Sequence, residues 1–346
     1  MKTHLETRAL FAGYNPADNH GAVKPPIHPA STFVFPSAAI GAAHMETAYG
    51  VEGAETPPEG GFIYSRLGNP TLSVAETRLA AWDESEAAAV FSSGMSAIST
   101  TLFAWTGSER ALWYVGPLYG GTQHIVDDIL PSMGVSVRKL ESLDDLALMG
   151  EEDGFPGMIF LETPANPTLQ IHSIKVATDW AKARTSDDHR IVVAVDNTFL
   201  GPILQRPLEL GADLNIYSAT KYIGGHSDLV AGAVSGESEA MAKVFEYRTF
   251  LGGMADPHTS WMLARSMETL AIRVERQSRS ARKVLDHLQK TPGIPVKGIN
   301  KIFSAWAEDL AGSGDFKSAG IAQEQQVNGG GMFAMELPGG RKAAFA

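Results

Sequence analysis

The chain has 346 residues, of which 44% are hydrophobic and 19% are charged, and it carries a formal net charge of −11 and no cysteine. That length can bury a large core, whereas the acidic charge argues against nucleic acid as a partner and the absence of thiols excludes disulfides and thiolate metal ligands. With no apolar run near the roughly 18 residues of a membrane span and no secretory signal, the sequence predicts a cytoplasmic globular protein without a membrane partner or a metal site.

Residues 1–66 are predicted to form an N-terminal arm. They contain several prolines and no sustained hydrophobic periodicity, which is typical of extended, irregular chain. The stretch from His44 to Gly61 ends in adjacent prolines and glycines and predicts an exposed loop. Arms of this kind often wrap a neighbouring subunit.

Residues 67–260 alternate helical segments with short apolar runs, a pattern that favours βα units and a mostly parallel sheet flanked by helices. In such sheets ligands lie beyond the carboxyl ends of the strands. The segments that follow the strands are therefore candidates for a binding site. The predicted strands are Ala111–Val115, Val135–Leu140, Met158–Leu161, Ile191–Val195, Leu214–Tyr217 and Val230–Val234.

Residues 261–346 predict a smaller C-terminal part with both helix and strand. Trp261 to Gln289 has the pattern of one or two long amphipathic helices, and Met332–Leu337 has the pattern of a strand. No internal repeat or low-complexity tract interrupts the chain.

The residues after two consecutive predicted strands match the needs of pyridoxal 5′-phosphate (PLP). This cofactor requires a lysine amine that forms an imine, a carboxylate facing the pyridine nitrogen and ligands for a phosphate. Asp196 and Lys221 lie one βα unit apart, and Ser218 and Thr220 supply hydroxyls beside the lysine. Taken singly, the aspartate is also explained as a loop anchor and the lysine as a solvated surface residue.

Three further segments offer groups for a phosphate and a flat ring. Ser93 and Gly94, followed by Met95, lie where an apolar run gives way to a helix, so they form either an ordinary cap or an anion site. Tyr119 lies in a glycine turn where its ring could stack on the cofactor. Arg66 could pair with a phosphate.

In this order the motifs closely resemble those of the Cys/Met-metabolism PLP enzymes, the transsulfuration family. That family includes cystathionine γ-synthase, cystathionine γ- and β-lyases, methionine γ-lyase and O-acylhomoserine sulfhydrylases. The resemblance runs from about residue 5 to residue 290. It is carried by Tyr64-Ser65-Arg66, Ser93-Gly94-Met95, Leu118-Tyr119-Gly120-Gly121-Thr122, Glu162-Thr163-Pro164-Ala165-Asn166-Pro167, Val195-Asp196-Asn197-Thr198 and Ser218-Ala219-Thr220-Lys221-Tyr222.

The resemblance implies an α/β fold of the aspartate aminotransferase-like, fold-type I class. It implies an N-terminal arm (1–66), a PLP-binding domain (67–260) and a partial C-terminal α+β domain (261–346), in homodimers or homotetramers whose sites are shared between subunits. It implies PLP as cofactor and a small amino acid as substrate. The resemblance implies that Lys221 attaches the cofactor, that Asp196 contacts the ring nitrogen and that Asn166 lies near the ring hydroxyl. It implies that Tyr119 stacks on the ring and takes part in catalysis. The implied phosphate ligands are Ser93, Gly94, Met95, Ser218 and Thr220, with Tyr64 and Arg66 of the adjacent subunit.

The resemblance also implies chemistry at the γ-carbon of a sulfur or O-acylhomoserine amino acid, most like a cystathionine γ-synthase. A methionine or cystathionine γ-lyase is the alternative, although many methionine γ-lyases carry cysteine at the position of Gly121. The family normally continues beyond a segment like Gly331–Leu337 to an arginine that holds the substrate carboxylate, so the chain is expected to be truncated. A third hypothesis is therefore an inactive homologue that acts as a binding subunit.

Overall fold

A central sheet of seven strands organises the computed structural model, which describes residues 4–48, 50, 51, 53, 61–150, 154–186, 188–290, 299 and 301–345. Its strands are β1 (Ala87–Phe91), β2 (Leu112–Val115), β3 (Val137–Leu140), β4 (Met158–Glu162), β5 (Val192–Asp196), β6 (Leu214–Tyr217) and β7 (Gly232–Gly236). In space they lie in the order β1-β7-β6-β5-β4-β2-β3. Two further strands, β8 (Lys301–Ser304) and β9 (Phe333–Glu336), form a separate antiparallel pair.

Helices surround the sheet and form the C-terminal part with the β8–β9 pair. They are α1 (Leu5–Phe11), α2 (Ala38–Ala48), α3 (Pro70–Asp83), α4 (Gly94–Trp105), α5 (Gly120–His124), α6 (Leu130–Ser132), α7 (Ile174–Lys182), α8 (Gly201–Leu204), α9 (Ser238–Leu251), α10 (Pro257–Met267), α11 (Leu270–Lys290), α12 (Ala307–Gly312), α13 (Phe316–Gln325) and α14 (Gly340–Ala344). None of the helices in the described ranges is long and apolar enough to cross a membrane.

The sheet confirms the predicted mostly parallel α/β architecture. The β3-β2-β4-β5-β6 run is parallel throughout, and only β7 is antiparallel to its neighbours β6 and β1. Each predicted strand recurs within two residues at either end. Because β4 and β5 are buried along their whole length, they read as continuous apolar runs, as strands covered on both faces do.

Two apolar layers bury the sheet between helices. On one face, Phe160 and Ile216 pack with residues of α4 and α9 such as Leu102 and Val244. On the other face, alternate strand residues pack against α3, α10 and α11 at one end and against α7 at the other. This three-layer arrangement leaves the carboxyl edge of the parallel strands open.

The N-terminal arm is more regular than the sequence predicts. Its described part holds α1, α2 and a 3₁₀ turn at Pro16–Asn19, and α2 occupies part of the region predicted as a loop from His44 to Gly61. That prediction was wrong for His44–Ala48, and residues 54–60 lie outside the described residues. The segment is rich in alanine, which favours a helix intrinsically without an amphipathic pattern.

The C-terminal prediction is confirmed in outline. The region from Trp261 to Gln289 forms α10 and α11, and the predicted strand Met332–Leu337 contains β9. The proposed boundary after residue 260 falls inside α10, a helix that packs on α3. The division of the chain into three parts remains a proposal.

Candidate active site

A cavity of about 390 Å³ lies at the carboxyl edge of the sheet. Loops after β2, β4, β5 and β6 reach this edge because those strands run parallel. Nine of the eleven predicted site residues line it. They are Ser93, Gly94, Met95, Tyr119, Asn166, Asp196, Ser218, Thr220 and Lys221, joined by Ile98, Glu162, Pro164, Thr198, Phe199 and Val230.

Asp196 is the last residue of β5 and is only 5% exposed. Its Oδ1 accepts hydrogen bonds from the main-chain N–H and the hydroxyl of Thr198, at 3.0 and 2.6 Å. Burial raises the pKa of Asp196, and the two bonds from Thr198 oppose that rise. The Thr198 hydroxyl oxygen also accepts the main-chain N–H of Ser218 at 2.8 Å. One hydroxyl therefore joins the loops that follow β5 and β6.

The N-terminus of α4 supplies the part of the cavity suited to an anion. Ser93 caps this 12-residue helix, and its side chain accepts the N–H of Ser96 at 3.0 Å. A Cβ on Gly94 would lie 2.8 Å from Cβ and 2.9 Å from Cα of Ser218. Only glycine therefore lets the helix end approach this loop without displacing it. A helix N-terminus beside two hydroxyl side chains suits a phosphate group.

Lys221 lies in an exposed turn after β6. Arg273 of α11 holds this turn, donating to the carbonyl oxygens of Tyr222 at 2.7 Å and Ile223 at 3.1 Å. Lys221 also lines a second cavity of about 740 Å³, whose other walls include Met332 from the C-terminal part. Lys221 thus lies between the cavity suited to a cofactor and this second, wider cavity, which we call the wider cleft.

Glu162 and Thr198 are polar lining residues to which sequence reasoning assigned no role. Both occur in the family-like segments, so the signal was present, but their contacts depend on how the strands align. Glu162 is 5% exposed. Burial, and after it the nearby charge of Asp196, raises the pKa of Glu162, whereas two hydrogen bonds from main-chain N–H groups lower it.

Tyr64 and Arg66 are the two predicted site residues that do not line the cavity. The Arg66 guanidinium donates to the Thr249 carbonyl oxygen at 2.8 Å and lies 5.4 Å from the centre of the Tyr64 ring. The resemblance implies that these residues act in a neighbouring subunit, which remains a proposal.

The residues of the cavity fit PLP by their chemistry and shape. Together they offer an amine, a buried carboxylate, hydroxyls and a helix N-terminus, and Gly94 lets that helix N-terminus lie against the loop of Ser218. Within the described ranges, no group of three or more histidine, aspartate or glutamate side chains could hold a metal ion.

Comparisons with known proteins identify the family to which the chain is similar. The model of the Cys/Met metabolism PLP-dependent enzyme family matches residues 6–345. L-methionine gamma-lyase of Pseudomonas deceptionensis is 35% identical over 98% of this chain and 79% of its own length. A protein of Herpetosiphon aurantiacus named "probable cystathionine gamma-synthase" is 33% identical over 100% of this chain and 98% of its own length. The crystal structure of cystathionine gamma synthase from Xanthomonas oryzae pv. oryzae with aminoacrylate and cysteine is 27% identical, with a TM-score of 0.82 over 100% of this chain and 81% of that one.

Proposed function

The chain belongs to the Cys/Met metabolism PLP-dependent enzymes, and we propose that it exchanges the γ-substituent of an O-acylhomoserine for a thiol, as a cystathionine γ-synthase does. Membership makes it a PLP-dependent carbon–sulfur enzyme. The observation that carries the proposal is the position of Lys221 on both the cofactor-sized cavity and the wider cleft.

The cofactor, when bound, supplies an electron sink for negative charge at the α-carbon of the substrate. Lys221 would attach it and, once displaced by the substrate amine, would move protons between the α- and β-carbons. Its exposed position between two cavities supports this shuttle role. Tyr119, whose side chain is 47% exposed, would stack on the ring and hold the proton for the leaving group.

Asp196 would face the ring nitrogen and keep it protonated. The anchoring of its Oδ1 by Thr198 supports this role, because the carboxylate is then fixed in one orientation. Gly94, Met95, Ser93, Ser218 and Thr220 would hold the phosphate. Asn166 would lie beside the ring hydroxyl.

A γ-lyase is the second candidate because a methionine gamma-lyase is among the relatives named above. The glycine at position 121, where many methionine γ-lyases carry cysteine, counts against the methionine γ-lyase. A Cβ at this position would lie 2.7 Å from Sδ of Met95 and 2.9 Å from Cε1 of Tyr119. In this chain Gly121 therefore lies directly against two residues of the proposed site.

We also infer that two chains share each site. Arg66 and Tyr64 lie away from the cavity of their own chain, and Phe250, beside Arg66's partner Thr249, is 77% exposed. A partner chain would cover this apolar side chain and receive Arg66 as a phosphate ligand.

Incubation with three sets of substrates tests the proposed function. The PLP-loaded protein is given methionine, cystathionine, or O-succinylhomoserine with cysteine, and cystathionine and 2-oxobutanoate are assayed. Cystathionine that forms only when both partners are present supports the replacement reaction. Release of 2-oxobutanoate from methionine or cystathionine alone would support the lyase, and the absence of any turnover by cofactor-loaded protein would support the inactive binding subunit.

A further inference from the structure

Glu162 is a buried acid that the proposed reaction does not use. It ends β4, where it is the register partner of Asp196 at the end of β5. Register partners on neighbouring strands project from the same face of a sheet. Two carboxyl groups therefore lie side by side at the edge that forms the cavity, and both line it.

The surroundings of Glu162 differ from those of an ordinary buried acid. Glu162 takes part in none of the ion pairs found among the described residues, although its side chain is only 5% exposed. Burying a carboxylate is unfavourable unless its oxygens receive hydrogen bonds. The partners that stabilise Glu162 are main-chain groups.

Each carboxylate oxygen of Glu162 accepts one main-chain N–H. Oε2 accepts that of Tyr119 and Oε1 that of Asn166, both at 2.7 Å. This distance is at the short end of the range for N–H···O hydrogen bonds. Tyr119 follows β2 and immediately precedes α5, whereas Asn166 lies in the loop after β4. A single side chain therefore ties together two loops whose residues line the cavity.

We propose that Glu162 is a positioning residue whose carboxylate fixes the loops of Tyr119 and Asn166 so that both side chains meet the cofactor ring in one geometry. This inference rests on the roles proposed above for those two residues. Small displacements of groups that contact a reacting centre reduce turnover strongly. Loss of the carboxylate is therefore expected to lower kcat more than it raises KM.

Amide hydrogen exchange tests the two bonds directly in the unmodified protein. The N–H groups of Tyr119 and Asn166 are expected to exchange slowly although both lie outside the strands. In Glu162→Gln one side-chain oxygen is replaced by an amide that cannot accept, so at least one of the two N–H groups is expected to exchange faster. Glu86→Gln is the control, since Glu86 accepts the main-chain N–H of Ser238 at 2.9 Å away from the cavity.

The visible circular dichroism of bound PLP and steady-state kinetics provide the second readout. Glu162→Gln is expected to change the dichroism of the ring and to lower kcat roughly tenfold, the effect of losing one hydrogen bond. Glu86→Gln is expected to change neither. Exchange and dichroism decide the proposal even if the chain turns over none of the amino acids tested.

Two results would overturn the inference. One is exchange of the Tyr119 and Asn166 N–H groups in the unmodified protein at the rate of exposed loops, a measurement that does not depend on whether a variant folds. The other is a folded Glu162→Gln protein whose exchange, dichroism and kcat all match those of the unmodified chain.

Discussion

Asp83 is expected to make the protein less stable as the pH rises through about 6. It ends α3 and is 4% exposed, and its carboxylate accepts hydrogen bonds from the side chains of Tyr217, Ser235 and Asn215. Burial raises the pKa of Asp83 from 3.8 to about 6, and the three hydrogen bonds only partly offset the effect. The folded state therefore holds the proton more tightly than the unfolded chain does.

The size of the effect follows from that difference in pKa. Stabilisation by protonated Asp83 is complete below pH 3.8 and is lost as the pH passes about 6. One pKa unit corresponds to about 1.4 kcal/mol, so the full loss is about 3 kcal/mol. Between pH 5 and pH 7.5 the free energy of unfolding should fall by about 1.4 kcal/mol from this group alone.

Asp83→Asn should remove that contribution. The side-chain oxygen of asparagine can keep the donors from Tyr217 and Asn215, and the hydroxyl of Ser235 can rotate to accept from the new amide. Urea unfolding of cofactor-free protein at both pH values should show a smaller pH dependence in Asp83→Asn by about 1.4 kcal/mol. The exposed Asp179→Asn serves as control. An equal pH dependence in Asp83→Asn and the unmodified protein would refute the reasoning.

Three further predictions concern the site. Gly94→Ala should weaken PLP binding about tenfold, because the added methyl group overlaps a neighbouring loop. Gly107→Ala is the control, because its methyl group points into open space and should leave the affinity unchanged. A titration of cofactor absorbance measures both affinities, and equal values would contradict the prediction. Thr198→Val should weaken PLP binding about tenfold in the same titration by removing the hydroxyl that joins two loops, and unchanged affinity would count against that link. If two chains share each site, Lys221→Ala and Arg66→Ala should each be inactive alone. When the two variants are mixed and reassembled, roughly a quarter of the sites should combine an intact Lys221 with an intact Arg66 and regain activity. A mixture without activity would contradict sharing.

The centre of the sheet was predictable because β4 and β5 are apolar up to their last residues. Strands buried on both faces cannot alternate polar and apolar side chains, so β4 and β5 stand out from the helices between them. The rule that ligands lie at carboxyl ends then points to Asp196 and Lys221. The structure brings both to one cavity.

What escaped prediction depends on relations between distant segments. The contacts of Glu162 require knowledge that β4 and β5 align at their last residues and that the loop after β2 folds over them. No local pattern contains that alignment. α2 escaped because its alanine-rich sequence lacks an amphipathic stripe. β8 escaped because Ser304 is its only buried residue, so burial imposes no apolar pattern on Lys301–Ser304.

Reductive trapping of the cofactor tests most directly the claim that Lys221 carries PLP. The PLP-loaded protein is reduced with borohydride and digested, and the modified peptide is identified by mass spectrometry. The pyridoxyl group is predicted on Lys221, with no stable adduct in Lys221→Ala. A reduced adduct on another lysine, or none after addition of PLP, would contradict the assignment.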